Sequence, residues 1–207
     1  MDSTKFKKLT ESYVSKRGSW AIWNGEKDKY DKKYIKLADL TIILDNVDKL
    51  HTKYVIIGFN PSPPIPPKIE NPDKQWEAFH PVNRPRNHDR KLYEAFKGTK
   101  VWGAYMTDLI KEDEVNVNKM RKDIDAKNNS EKKEDHKKYF QAELTCVGVT
   151  PHSIFILLGK DARELFFDFI NGTPFSLNTT ICLPHYAFLG KKPWEWVVQA
   201  KEAINAL

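Results

Sequence analysis

An α/β fold is predicted, a three-layer α/β/α sandwich around a central four-stranded parallel sheet, and two features of the chain predict it. Short apolar runs rich in β-branched and aromatic residues recur at 54–58, 101–106, 153–158 and 179–183. Segments with helical patterning separate them, which is the βαβ signature of a parallel sheet covered on both faces. The chain has 207 residues, 40% of them hydrophobic and 12% aromatic, enough for one sizeable core and short for two. A single domain over residues 1–207 is the expectation.

Near the N-terminus, Gly18-Ser19-Trp20-Ala21-Ile22-Trp23 has tryptophans at i and i+3, the spacing of a helix stapled against the sheet; a base-stacking platform is the other reading. The first strand run then breaks into Gly58-Phe59-Asn60-Pro61-Ser62, followed within 61–72 by a proline run that is neither helix nor central strand and reads as a stiff extended loop. Tyr93 and Phe96 anchor a short helix before the second strand. Residues 111–138 are highly charged and read as a solvated excursion without chemistry, turning into a helix towards Phe140. Phe140, Leu144 and Val147 continue that helix as an apolar stripe. The clearest helix covers 161–170, where Ala162, Leu165, Phe166 and Phe169 repeat at i, i+3, i+4 and i+7. A closing helix covers 194–207, and no internal repeat is present.

Lys and Arg total 34 against 28 acids, a formal charge of +6 that favours polyanionic partners such as nucleic acid. Cys146 and Cys182 are isolated in apolar surroundings, a pattern that excludes a four-cysteine zinc or iron-sulfur site and reads as two reduced core residues. No apolar stretch approaches a membrane span, and the first residues lack the apolar centre of a signal peptide, so a soluble cytoplasmic protein is expected.

Each strand run ends in a distinctive segment: Gly58-Phe59-Asn60-Pro61-Ser62, then Thr107-Asp108-Leu109-Ile110-Lys111, then Gly159 at a strand-to-helix turn, then Leu183-Pro184-His185-Tyr186-Ala187. Between the first two lies Phe79-His80-Pro81-Val82-Asn83-Arg84. In a parallel sheet these ends share the carboxyl edge, where ligands bind. Taken singly, Asn60-Pro61 is also an ordinary turn initiator, His185 a strand-capping histidine, and Asp108 a cap for the turn that follows it.

In their order, these segments resemble the uracil-DNA glycosylase superfamily, in particular its mismatch-specific and single-strand-selective branches, over roughly residues 53–189. The resemblance implies a DNA glycosylase without metal or cofactor, with single- or double-stranded DNA carrying uracil or a related damaged or mismatched base as partner, and a monomer is expected. It implies that Asn60 orients the attacking water and that His185 donates a hydrogen bond to the base carbonyl as charge develops. An amide accepts hydrogen bonds but barely takes a proton, so Asn60 positions water rather than deprotonating it. Gly58, Phe59, Pro61 and Ser62 would form the turn around the base, and Phe79 would stack on it, core packing being the other reading for Phe79. His80, Asn83 and Arg84 would hold the loop.

The chain departs from the family where Tyr186 and Ala187 replace the Pro and Ser that follow the histidine, so the serine that would bond a DNA phosphate is missing. Ser62 stands where the family has Gly, and its hydroxyl either approaches the phosphate or crowds it. Phe188 and Leu189 occupy the place of an apolar wedge into the duplex, with packing beneath the loop as the other reading. Lys191 and Lys192 are candidates for DNA backbone contact. Two other functions stay open: a glycosylase-like nucleic-acid or protein-binding module with weak or no chemistry, and a hydrolase of free nucleotides or nucleosides.

Overall fold

The structure is a computed structural model that describes residues 1–23, 41–61, 75–76, 78–80, 89–112, 116–187 and 192–207. At its centre is a mostly parallel five-stranded sheet built from β1 (Ser19–Trp20), β2 (His51–Gly58), β3 (Ala104–Asp108), β4 (Ile154–Leu158) and β5 (Thr180–Leu183). Their order is β1-β3-β2-β4-β5, and only β1 runs antiparallel to its neighbour. Seven α-helices accompany the sheet among the described residues: α1 (Ser3–Thr10), α2 (Thr41–Asp45), α3 (Asp89–Phe96), α4 (Val117–Asp125), α5 (Ser130–Val147), α6 (Lys160–Ile170) and α7 (Pro193–Asn205).

Strand residues alternate between two buried cores, because successive side chains point to opposite faces. Val55, Ile57, Tyr105, Phe155 and Leu157 belong to one, together with Phe140 and Leu144 of α5 and Phe166 and Phe169 of α6. Ile56, Met106, Ile156 and Leu158 belong to the other, with Leu92 and Phe96 of α3 and Trp196 and Ile204 of α7. Near-continuous apolar strands are what burial on both faces requires.

The four expected strands are present and parallel, but the sheet has a fifth at its edge. The segment expected as a helical staple is that strand: Ser19 and Trp20 pair with Met106 and Tyr105. In extended chain, positions i and i+3 face opposite ways, so Trp20 packs in the first core beside Tyr105 while Trp23 packs in the second beside Phe96. The second strand starts three residues later than its apolar run, because residues 101–103 form a turn in which Gly103, at φ 87°, donates to the Ala21 carbonyl. Both cysteines are free and exposed rather than core residues. Cys182 lies on the outermost strand, and Cys146 on the solvent side of α5 between buried Leu144 and Val147.

The charged excursion folds into α4 and the first half of α5. Asn116 caps α4 by accepting from Lys119 N at 3.1 Å, and Met120 and Ile124, one turn apart, face the core. Arg121 reaches α6, at 3.0 Å from Asp161 and 2.6 Å from Glu164. Most of the charges are solvated as expected, but Lys111 and His136 are buried.

Lys111 is buried because it meets Glu143, a fully buried carboxylate on α5. Tyr105 and Thr107, on one face of β3, each donate to Glu143 Oε1 at 2.7 Å. Lys111 Nζ lies 2.5 Å from Oε2, an ion pair, while its aligned hydrogen bond goes to Thr107 Oγ1. Desolvation, followed by the adjacent Glu143 charge, pushes the Tyr105 hydroxyl well above its ordinary range, so it stays a donor. Removing one partner of a buried ion pair leaves the other charge uncompensated. Glu143→Gln is expected to cost roughly 3–5 kcal/mol in urea unfolding, and adding Lys111→Met to recover most of that loss; equal midpoints for single and double variants would contradict the pairing.

Candidate active site at the carboxyl edge of the sheet

From β2 the chain crosses to β3 on one side and later returns to β4 on the other, so the strand order reverses at β2. In open parallel sheets the crevice beyond the carboxyl ends at such a reversal is where ligands bind. The residues that leave β2, β4 and β5 at this edge are Asn60, Gly159 and His185.

The β2 turn is held by its neighbour, since Leu109 N donates to the Gly58 carbonyl at 3.1 Å and Ile110 N to the Phe59 carbonyl at 2.9 Å. Phe59 is 5% exposed and its ring belongs to the core, so it supports the turn from beneath instead of lining the edge as expected. Asn60 is half-buried, and its amide nitrogen donates to the Pro61 carbonyl at 3.1 Å, an orientation that makes Oδ1 the accepting end of the side chain. Pro61 is half-buried beside it.

Gly58 is required by space. A Cβ there would lie 2.1 Å from Asp108 Oδ1 and 3.3 Å from Phe79 Cζ. The Asp108 carboxylate and the Phe79 ring therefore both close on the Gly58 backbone. Phe79 is half-buried, and its backbone sits at φ 66°, a region that bulky residues rarely adopt and that concentrates at functional sites. His80 next to it is buried: its Nε2 donates to the Trp20 carbonyl at 3.0 Å, and its ring meets Trp23 edge-on. Burial pulls its pKa down to about 4, so it is a neutral structural group that ties the loop to β1.

His185 is exposed and leans on Gly159, where a Cβ would come within 3.1 Å of its own Cβ and where φ is 100°. Its Nδ1 accepts from Ala187 N at 3.1 Å, so in the neutral ring the proton resides on Nε2, the donating end. Tyr186 stacks on His185 at 4.6 Å and meets Trp196 edge-on at 6.4 Å. Lys91 of α3 donates to the Tyr186 carbonyl at 2.7 Å, and Trp196 of α7 donates to the Pro184 carbonyl at 2.8 Å. Tyr186 thus stiffens the loop through its ring contacts and its anchored carbonyl.

With strands about 4.8 Å apart, Asn60 and His185 stand roughly 10 Å apart across Gly159. Lys192 is exposed and serves as the N-cap residue of α7, its N–H directed to Glu195. Ser62, Asn83, Arg84, Phe188, Leu189 and Lys191, with most of the proline run, lie outside the described residues. Asp108 was expected within reach of the site but read first as a turn cap, and the anchors Lys91 and Trp196 were not among the expected site residues. Asp108 had a signal, its place at a strand end, whereas the anchors join the site only through helix packing.

Two open clefts lie away from this edge. One, of about 380 Å³, runs along the Glu112, Lys132 and His136 ion pairs; the other, of about 530 Å³, lies at the amino edge by Leu50 and Ser153. Neither contains a residue expected for the site. Among the described residues no group of three or more His, Cys, Asp or Glu is arranged to hold a metal ion, and no helix is long and apolar enough to cross a membrane. Comparisons with protein-family models, curated proteins and solved structures find no match.

Two outcomes follow from this geometry. Gly58→Ala is expected to destabilise the protein by about 1–3 kcal/mol through overpacking, and an Asp108→Ala background to remove most of that penalty; additive effects in thermal unfolding would exclude the contact. For His80, the unfolded chain takes up a proton near pH 6.5, which the folded ring refuses until about pH 4. Its contribution is therefore complete above the unfolded value and falls away as pH drops through that window, by about 3 kcal/mol in all at 1.36 kcal/mol per pKa unit. Half-buried His51 and buried His136, also lowered by desolvation, act in the same direction. Urea unfolding as a function of pH should be flatter for His80→Gln, which keeps a donor for Trp20; an unchanged slope would exclude His80 as the source.

Proposed function

We propose that the chain is a single three-layer α/β/α domain acting as a monomeric DNA glycosylase, one that hydrolyses the N-glycosidic bond of uracil or a related damaged or mismatched base. The observation that carries this is the pairing, at one sheet edge, of the accepting end of Asn60 with the neutral Nε2–H donor of His185, on either side of Gly159. Breaking the C1′–N bond sends its electron pair to the base and leaves positive charge on the sugar. His185 meets the charge on the base with a fixed hydrogen bond, without transferring its proton. Asn60 Oδ1 aligns a water whose oxygen bonds C1′ while its proton leaves to solvent, giving an abasic site and free base. Phe79, pressed against Gly58 in a left-handed backbone, offers a ring face for an extruded base. Burial of the Phe59 ring beneath the turn leaves stacking to Phe79.

A binding module with little chemistry is the second reading, favoured by the exposure of His185, since a water-filled site weakens electrostatic stabilisation. Base release from uracil-containing single strands and from G·U duplexes, read as alkali-labile abasic sites, tests the two. The wild type is expected to cut, with Asn60→Ala and His185→Ala each slower by roughly 100-fold or more, the scale of losing one preorganised donor. DNA binding without base release would favour the module, and full activity in either variant would remove that residue from the chemistry.

A further inference from the structure

Among the described residues, only Trp76 and Phe79 hold a positive φ without being glycine, at 65° and 66°. A bulky residue keeps such a backbone only where its surroundings over-determine it. For Trp76 they do so completely. Its N–H donates to the Ser15 carbonyl at 2.6 Å, its own carbonyl accepts from Ser19 Oγ at 2.7 Å, and its indole Nε1 donates to Thr10 Oγ1 at 3.1 Å. The ring is buried, stacked on Phe6 of α1 at 5.7 Å and tilted against Trp20 of β1 at 5.5 Å. Every one of these partners belongs to the N-terminal segment between α1 and β1. Three positions after Trp76, the Phe79 ring packs against the other core and closes on Gly58, and His80 follows with its bond to the Trp20 carbonyl. The loop thus passes from one face of the sheet to the other between two fixed points. Three residues span at most roughly 10 Å, so a movement of Trp76 is passed to Phe79 with little slack.

We infer that Trp76 is a positioning residue for the candidate site: it acts through Phe79, by fixing the loop that presses the Phe79 ring against Gly58. This rests on the reading of Phe79 above as the ring that stacks an extruded base. Trp76 itself is buried in the opposite core and meets no substrate. A stacking ring helps binding most when it is already in place, because ordering a loop at the moment of binding costs part of the affinity. Stacking acts alike on the bound substrate and on the transition state, so weakening it raises KM and leaves kcat. A tryptophan that served only the core would behave differently. Its loss would lower the folded fraction, which lowers apparent kcat and leaves KM where it was.

Two readouts test this. With para-fluorophenylalanine in place of Phe79, fluorine NMR reports the ring without any catalysis: one narrow resonance is expected in the otherwise unchanged chain, and a shifted or exchange-broadened one with Trp76→Leu. Trp76→Phe, which keeps a ring between Phe6 and Trp20, should leave the resonance close to its original place. Ser19→Ala, which deletes only the bond to the Trp76 carbonyl, should move it as well, and carries both readouts if Trp76→Leu does not fold. In base release from uracil-containing DNA, Phe79→Leu is expected to raise KM roughly tenfold and Trp76→Leu roughly fivefold, each with kcat within about twofold of wild type. On a Phe79→Leu background Trp76→Leu should add less than about twofold, since the ring it positions is gone. An unmoved resonance in both Trp76→Leu and Ser19→Ala, a fall in kcat at constant KM, or multiplying KM effects in the double variant would each overturn the role. If the wild type releases no base, the glycosylase assignment falls and the fluorine signal alone decides whether Trp76 fixes Phe79. If base is released and the signal stays put, the positioning role falls and the assignment stands.

Discussion

The buried pair of Glu143 and Lys111 governs how the second parallel strand is presented. An isolated charge in that core would be prohibitively costly, so α5 and the end of β3 are locked together through the carboxylate, with Tyr105 and Thr107 completing its shell. Because strand side chains alternate, fixing Thr107 towards α5 fixes Asp108 towards the other side, against Gly58. The turn that carries Asn60 is then bonded to the same segment through Leu109 and Ile110. One ion pair on the helical face thus aligns the backbone of the candidate site.

The last loop is ordered by different means. His185 sits on a bare glycine, takes a hydrogen bond from Ala187 on one ring nitrogen, and is backed by the Tyr186 ring. Lys91 and Trp196 hold the loop carbonyls from two helices of the same core. A His-Tyr-Ala segment can therefore hold a histidine in one tautomer and one place, which is what a fixed hydrogen-bond donor needs.

Legibility in the sequence followed locality. The strand at 54–58, the stripe at Phe140, Leu144 and Val147, and the helix at 161–170 were readable because burial imposes a period of its own on consecutive residues. The tryptophans at 20 and 23 were misread because a helical spacing and a pair of opposite faces in extended chain use the same three-residue step. Lys111 looked like the start of a solvated charge run, since nothing in a one-dimensional pattern marks Glu143, 32 positions away, as its partner. Phe59 looked like a site residue because it shares the turn with Asn60, yet alternation sends its ring below.

By itself the sequence determined an α/β protein with parallel strands and the segments that end them, since apolar runs and turn residues are properties of neighbours along the chain. Only the tertiary structure decided that Gly58, Asp108 and Phe79 meet, that His185 Nδ1 accepts from Ala187 N, and that Trp194 faces outward while Trp196 faces in. Those outcomes depend on strand order and on which face each residue takes, and both are settled by contacts between segments far apart in the chain.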